Sequence, residues 1–297
     1  LVLYIENWTG TSGLLQPDGT DGENPYYSLS GQTPVFGLAA GASSQPRTLR
    51  LGQGTGSPTV DARVFAASTS AQAAVAFAQT LNEAGQPLPE VIVEESGPDG
   101  NRTNMTDSVR GAGTLGQRAG AHLWKFRKPG FLPVWRSLSI DTNAVKVVAG
   151  PRLTPRGTNT ALLTPISGGV LTNLYVALQF GPGCFNQQAS GTLTPLTGQT
   201  LPGFLPLGWS PLGTFWFETD APIQSPGEAR VRPWDRVGTS EQAVWVRWNE
   251  SLTIWEVLEI KPGQGLSALN FGVPSTGGYA LVVGDSGVFA PPTSVAG

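Results

Sequence analysis

AVWVRWNESLTIWEVLEI, residues 243–260, holds three of the nine Trp in the chain and is its clearest strand–turn–strand signal. Val244, Val246 and Trp248 alternate with Trp245, Arg247 and Asn249, the period-2 pattern of a strand with two unlike faces. Asn249, Glu250 and Ser251 supply short polar turn chemistry. A second alternating run follows, with Trp255, Val257 and Glu259 on one face and Glu256, Leu258 and Ile260 on the other. Lys261, Pro262 and Gly263 end it, because Pro cannot donate to the ladder. The two runs predict a β-hairpin in which Trp245 and Trp255 share a face.

The rest of the chain repeats this grammar in shorter pieces. Of its 297 residues, 39 are Gly and 25 Pro, while charged residues make up only 13%. A disordered chain of that Gly/Pro content is usually rich in charge and poor in aromatic residues. Here nine Trp and twelve Phe sit between the breakers, so short strands joined by many turns are expected. Strand signals fall at Leu1–Ile5, Val35–Ala40, Thr48–Leu51, Val60–Phe65 and Glu90–Glu95, and then recur from Leu123 to the end. One helix is expected over 70–84, where Ala dominates, Ser68, Thr69 or Ser70 offers a cap and Gly85 follows. Residues 96–120 carry Gly and Pro with few apolar groups and read as a long loop. These signals predict an all-β fold, an antiparallel sandwich of jelly-roll-like type with one short helix. The length admits one large β domain or two. The Gly/Pro/Arg run at 150–157 is the best junction, dividing the chain into 1–155 and 156–297.

Composition also excludes functions. A net charge of −3 and no basic cluster denser than Lys125, Arg127 and Lys128 give no nucleic-acid face. No stretch approaches the roughly 18 apolar residues of a membrane-spanning helix, and the start, LVLYIE, reaches Glu6 too soon for a signal-peptide core. Cys184 is the sole Cys and forbids an intramolecular disulfide. His122 is the sole His, so any His-based triad or a Cys184–His122 pair must use it; a strand histidine without catalytic role is the expected reading. Zinc lacks ligands, whereas calcium needs only oxygen, for which Asp18, Asp21, Glu23 and Asn24 form the best loop, though a solvated acidic turn is the simpler reading. The paired carboxylates of a glycoside hydrolase have Glu218 with Asp220, Glu256 with Glu259, and Glu94 as members. The run Gly52–Gly56 lacks the Lys of a phosphate loop and reads as a turn. Trp245, Trp255, Tyr26 and Tyr27 are the aromatic residues that would meet a glycan or partner. Sequons stand at Asn7, Asn101, Asn104 and Asn249.

The hairpin at 243–260 resembles the V-W-V-x-W-N…x-W-E-V hairpin of accessory structural proteins of tailed bacteriophages, such as head-decoration and tail-fibre components. The resemblance implies a non-enzymatic capsid-decoration or tail-fibre role on a virion or extracellular surface. It also implies a homo-oligomer that contacts other particle proteins and needs no cofactor or catalytic residue. Extended ends, Leu1–Ile5 and Val288–Gly297, suit strand addition to neighbouring subunits. The alternatives are a carbohydrate-binding module or adhesin and, after it, a glycoside hydrolase.

Overall fold

The computed structural model describes residues 2–9, 14–15, 17–21, 24–28, 48, 50–52, 59–65, 74–115, 118–142, 144–285 and 294–296. Val35–Ala40, Glu23, residues 53–56 and most of the C-terminal arm lie outside the described residues. The described chain is all-β, in several antiparallel sheets, and divides into two compact units. The first comprises Leu1–Phe126 and Arg136–Pro151; the second comprises Arg127–Trp135 and Arg152–Gly297.

The first unit contains β1 (Val2–Thr9), β2 (Leu14–Leu15), β3 (Gly19–Asp21), β4 (Asn24–Ser28), β5 (Arg50–Leu51), β6 (Thr59–Phe65), β7 (Val75–Gln79), β8 (Leu81–Asn82), β9 (Ile92–Gly97), β10 (Gly100–Met105), β11 (Ala112–Leu115), β12 (Gly120–Arg127), most of β13 (Val134–Ile140), and β14 (Val145–Val147). Its sheets run β3-β4-β1-β6, β10-β9-β12-β13 and β11-β7-β14. The helix expected over 70–84 is absent from the described residues. Residues 75–82 form β7 and β8 instead, and a turn through Gly85 follows, where φ is +80°. The reason is packing on both faces. Val75, Ala76, Phe77 and Ala78 are all buried, as in a central strand covered on both sides. There the small Ala side chains let neighbouring layers approach closely, so an Ala-rich composition is no helix signal in this setting. β14, which pairs with β7 in parallel (Val145 opposite Val75), comes from a sequence position that local propensity cannot see.

The long loop expected over 96–120 is corrected as well. β9 and β10 form a tight hairpin around Pro98 and Asp99, with Gly97 opposite Gly100. Gly100 takes φ +84°, which glycine adopts without strain. All six residues of β10 are exposed, so the strand has no hydrophobic alternation to read; main-chain pairing to β9 makes it.

The second unit contains β15 (Arg152–Leu153), β16 (Thr160–Leu163), β17 (Gly169–Thr172), β18 (Val176–Phe180), β19 (Ala189–Pro195), β20 (Trp209–Thr219), β21 (Gly227–Val231), β22 (Gln242–Asn249), β23 (Ile254–Pro262), β24 (Leu269–Val273), β25 (Gly277–Gly284) and β26 (Ser294–Ala296). A seven-stranded sheet, β16-β19-β20-β25-β22-β23-β26, and a four-stranded sheet, β17-β18-β21-β24, supply a single apolar cluster, giving a sandwich. The predicted hairpin is β22–β23, closed by a four-residue loop in which Asn249 Oδ1 accepts the N–H groups of Ser251 (3.0 Å) and Leu252 (3.1 Å).

The faces of the hairpin differ from expectation. A bulge between Trp245 and Val246 makes Leu258 the extra residue, so Glu259 stands opposite Trp245 and Trp255 stands opposite Trp248. Trp255 shares the face of Trp248, its partner across the ladder, and Trp245, three residues from Trp248, lies on the opposite face of the sheet. Trp245 enters the inter-sheet core, where its ring stacks on Phe271 (5.0 Å, 11°) and Tyr279 (5.4 Å) and its indole N–H donates to Gly272 O across the sandwich at 3.0 Å. Trp255 and Trp248 meet edge to face at 5.5 Å on the outer side, where Trp135 lies 5.7 Å from Trp248 and Trp255 Nε1 donates to Gly203 O at 3.1 Å. A side chain at Gly203 would strike the Trp248 ring, its Cβ falling 2.2 Å from ring carbons.

Two indoles therefore bear different loads. Trp245 makes its hydrogen bond, whereas the buried N–H of Trp248 makes none among the described residues. A lone buried donor costs free energy, while losing one partner of a made bond strands the other. Trp245→Phe is expected to destabilise by about 1–3 kcal/mol, and Trp248→Phe by distinctly less. Thermal or urea unfolding of both variants reads the difference, and equal losses would contradict this account of the inter-sheet bond.

Candidate functional site: an open sheet face

The side chains singled out in the sequence are mostly used internally. Trp245 and Trp255 are 0% exposed and Tyr27 is 1% exposed, so none of the three presents a ring to a ligand; Tyr26 is half-buried. Buried rings cannot stack on a sugar, which corrects the expectation for these positions. The calcium loop is a hairpin: Asp21 stands opposite Asn24, Asp18 is exposed, and Glu23 lies outside the described residues. Among the described residues no group of three or more His, Cys, Asp or Glu is placed to hold a metal ion.

His122 is buried in β12 on the inward face with Trp124 and Phe126, stacked on Trp124 at 5.3 Å and 6°. Its Nε2 donates to Arg118 O at 2.8 Å, since a carbonyl can only accept, and its Nδ1 lies within hydrogen-bond distance of Glu95 Oε1 at 2.7 Å. Gly97 makes room for the ring, because a Cβ there would fall 2.6 Å from Nδ1. Cys184 is buried in the second unit beside Ser225 Oγ (3.5 Å) and Pro226 O (3.8 Å). His122 belongs to the first unit and both its nitrogens are engaged, so the two do not form the pair considered above.

The carboxylates are likewise tied. Glu218 is ion-paired with Arg156, and Asp220 accepts the Ser190 N–H at 2.8 Å. Glu259 pairs with Lys261 at 2.9 Å, and the Lys261 ammonium lies 4.9 Å over the Phe271 ring and donates to Asn270 O. Glu256 accepts from Asn249 Nδ2 (2.6 Å) and Arg247 (2.6 Å), and the Asn249 bond, with Arg247 behind it, holds its carboxyl below the ordinary range. A general acid of a glycosidase needs the opposite shift. Beneath it, burial pushes the Tyr279 phenol up, and its O–H donates to Ser275 O at 2.6 Å. The amide of Asn249 is committed to this network, whereas Asn101 and Asn104 are exposed on β10.

What the second unit does present is the outer face of its four-stranded sheet. Leu171, Val176, Leu178, Phe180, Ala229, Val231, Leu269 and Phe271 point inward and are buried. The residues between them point out, and the register sets Gln179 beside Glu228 and Arg230 beside Ala177 and Asn270. At one end, a cleft of about 560 Å³ is lined by Gln179, Glu228, Glu259, Lys261 and Asn270. Toward the other, Arg232 N donates to Tyr175 O at 2.7 Å, extending the β18–β21 ladder. There Tyr175 (40% exposed) and Trp234 (38% exposed) meet edge to face at 6.0 Å. Of these two exposed aromatic residues the sequence offers Trp234 as one of several Trp that could stack on a sugar, whereas Tyr175 and the pairing were missed. Their signal was RVRPWDR, residues 230–236, in which exposed Arg230, Arg232 and Trp234 alternate with buried Val231 and Pro233.

No family model matches the chain, and no curated protein does. Among solved structures, one described as "The Bacillus anthracis TIE protein" aligns at 11% identity over 76% of this chain and 47% of that one, with a TM-score of 0.27. The chain spans less than half of that protein's length, and a likeness of this size carries no argument.

The Glu256 network gives a pH prediction. A carboxylate whose folded pKa lies below its unfolded value stabilises fully above the ordinary value of 4.5, and that stabilisation is lost as pH falls through the folded pKa. Glu256→Gln is expected to cost about 0.5–1.5 kcal/mol near neutral pH. Its melting temperature should converge on that of the unaltered protein at acidic pH. A gap that stays constant down to strong acid would show that the charge of Glu256 is not what holds the network.

Proposed function

We propose that the chain is a non-enzymatic β-protein of an extracellular or particle surface that works by recognition, binding saccharide on the outer face of the four-stranded sheet. The observation that carries the reading is the exposed Tyr175–Trp234 pair at one end of an open, polar sheet face. The C–H faces of a pyranose ring pack on such aromatic planes, and side chains such as Gln179 and Asn270 can bond its hydroxyls. Support against the hydrolase reading comes from Glu218, Glu256 and Glu259, each paired with a cation of its own. The particle setting rests on the resemblance of the 243–260 hairpin to phage accessory proteins.

A second reading, assembly through oligomer or lattice contacts, is favoured by β26. This three-residue strand adds to the edge of the seven-stranded sheet beside β23, setting Val295 opposite Trp255. The C-terminal arm thus pairs within its own chain here, and the same pairing made by a neighbouring copy would link subunits. Light scattering over a concentration range reads this directly. A trimer, hexamer or growing filament supports it, and a monomer throughout removes self-assembly in solution.

For recognition, the expected result is saturable saccharide binding in titration calorimetry that falls at least about tenfold, or 1.4 kcal/mol, in Trp234→Ala and in Tyr175→Ala. Both residues are exposed, so melting temperature should hardly move. Binding that survives both substitutions, or no saccharide bound at all, would sink the reading.

A further inference from the structure

The patch around Tyr175 and Trp234 carries charge as well as rings. Arg230, Arg232 and Arg236 fall within seven residues, in a chain whose 21 acidic residues outnumber its 18 Lys and Arg. All three are exposed. Arg102, Arg118, Arg156 and Arg247 each pair with a carboxylate, but among the described residues Arg230, Arg232 and Arg236 form no salt bridge. The neighbouring carboxylate, Asp235, accepts the main-chain N–H of Arg236 at 2.7 Å.

The ladder fixes where two of these cations stand. Arg232 faces Tyr175 through the main-chain bond that prolongs β18–β21. Arg230 stands one step inward, beside Ala177 and Asn270, on the same outward-pointing row as Arg232. Two residues along a strand span roughly 7 Å, which sets the spacing of Arg232 and Arg230; β21 ends at Val231, and beyond it Trp234 N donates to Leu212 O at 2.9 Å while its ring meets that of Tyr175. The row then continues to Glu228, Gln179 and the cleft at the far end of the face.

We propose that Tyr175, Trp234, Arg232 and Arg230 form a site for an acidic saccharide, a chain of pyranose units bearing carboxylate or sulfate groups. The proposal rests on the saccharide reading above and adds the ligand's charge. A ring face packs on Trp234 or Tyr175, while its anionic group takes the planar fork of Arg232, a geometry that guanidinium matches with two parallel bonds. A second acidic unit further along reaches Arg230. A neutral sugar would use the rings and leave two guanidinium groups without a task; an acidic peptide would use the cations and leave the aromatic faces idle.

Titration calorimetry with four probes tests this: an oligogalacturonate, its methyl ester, a sulfated oligosaccharide and a polyglutamate peptide of matching charge. The expected result is that the oligogalacturonate or the sulfated sugar binds at least tenfold tighter than the neutral ester, with an affinity that falls as salt is raised. Arg232→Gln should remove about tenfold of the acidic-sugar affinity and flatten its salt dependence, leaving binding of the ester unchanged. Arg232→Lys, which keeps the charge without the fork, should fall between. Trp234→Ala should weaken acid and ester alike.

Equal affinity for acid and ester, with Arg232→Gln inert, would overturn the acidic-ligand proposal while leaving saccharide recognition intact. Polyglutamate binding as tightly as the acidic sugars, unaffected by Trp234→Ala, would overturn it in favour of a simple polyanion surface. Failure of all three sugars would overturn both.

Discussion

The indole of Trp245 is the fixed point of the second unit. It rises from β22 in the seven-stranded sheet, stacks on Phe271 of the four-stranded sheet and donates its N–H to Gly272 O on the same strand, β24. β24 is an edge strand, and an unpaired edge must be blunted or covered. Here the opposite sheet does this, with Trp245 taking the carbonyl of Gly272 and Lys261 that of Asn270. The same pair of contacts sets the inter-sheet spacing and leaves the outward residues of β24 free to line a surface. Strand alternation alone turns Trp248, three residues on, outward against Trp135, and a bulge in β23 brings Glu259 across from the indole.

That bulge also marks the limit of what the sequence discloses. Alternation in 243–260 is strong enough to reveal two strands and the turn between them, because each strand buries one side chain in two. One added residue in a ladder leaves no compositional trace, yet it inverts every face beyond it. The register across the turn is equally silent: with Trp255 opposite Trp248, it lies on the other face from Trp245, although the two read as companions. The stretch 74–84 fails for another reason. Its Ala content is a helix signal only where one face meets solvent, and β7 is enclosed on both sides by partners from residues 112–115 and 145–147. β10 is the converse case, a strand with no apolar pattern whose existence depends on main-chain bonds to β9.

The all-β class survived these local errors because it rests on the spacing of breakers, a property summed over the whole chain. The candidate site had no such redundancy. Large aromatic residues in strands attract notice, yet nearly all of them fill the core, as burial of apolar area requires. The pair that reaches solvent, Tyr175 and Trp234, lies just beyond strand ends, where neither local pattern is strong. In RVRPWDR the exposed residues fall at every second position from Arg230 to Trp234, and that alternation was the available clue. Burial of Val231 on the inner face gives that reading its phase.

Charge placement separates the two kinds of polar surface in this unit. Glu256 on β23 meets Arg247 on β22, Glu259 meets Lys261, and Glu218 on β20 meets Arg156. Such pairs fix side-chain geometry and contribute modestly to stability. On the outer face of β21 the cations keep their hydration and their freedom. An exposed Arg held by nothing costs the fold little and gains nothing for it, so its position beside two exposed rings is not explained by packing. A ligand that carries both a flat apolar face and an anion satisfies both features at once, and an acidic pyranose is the simplest chemical group that does.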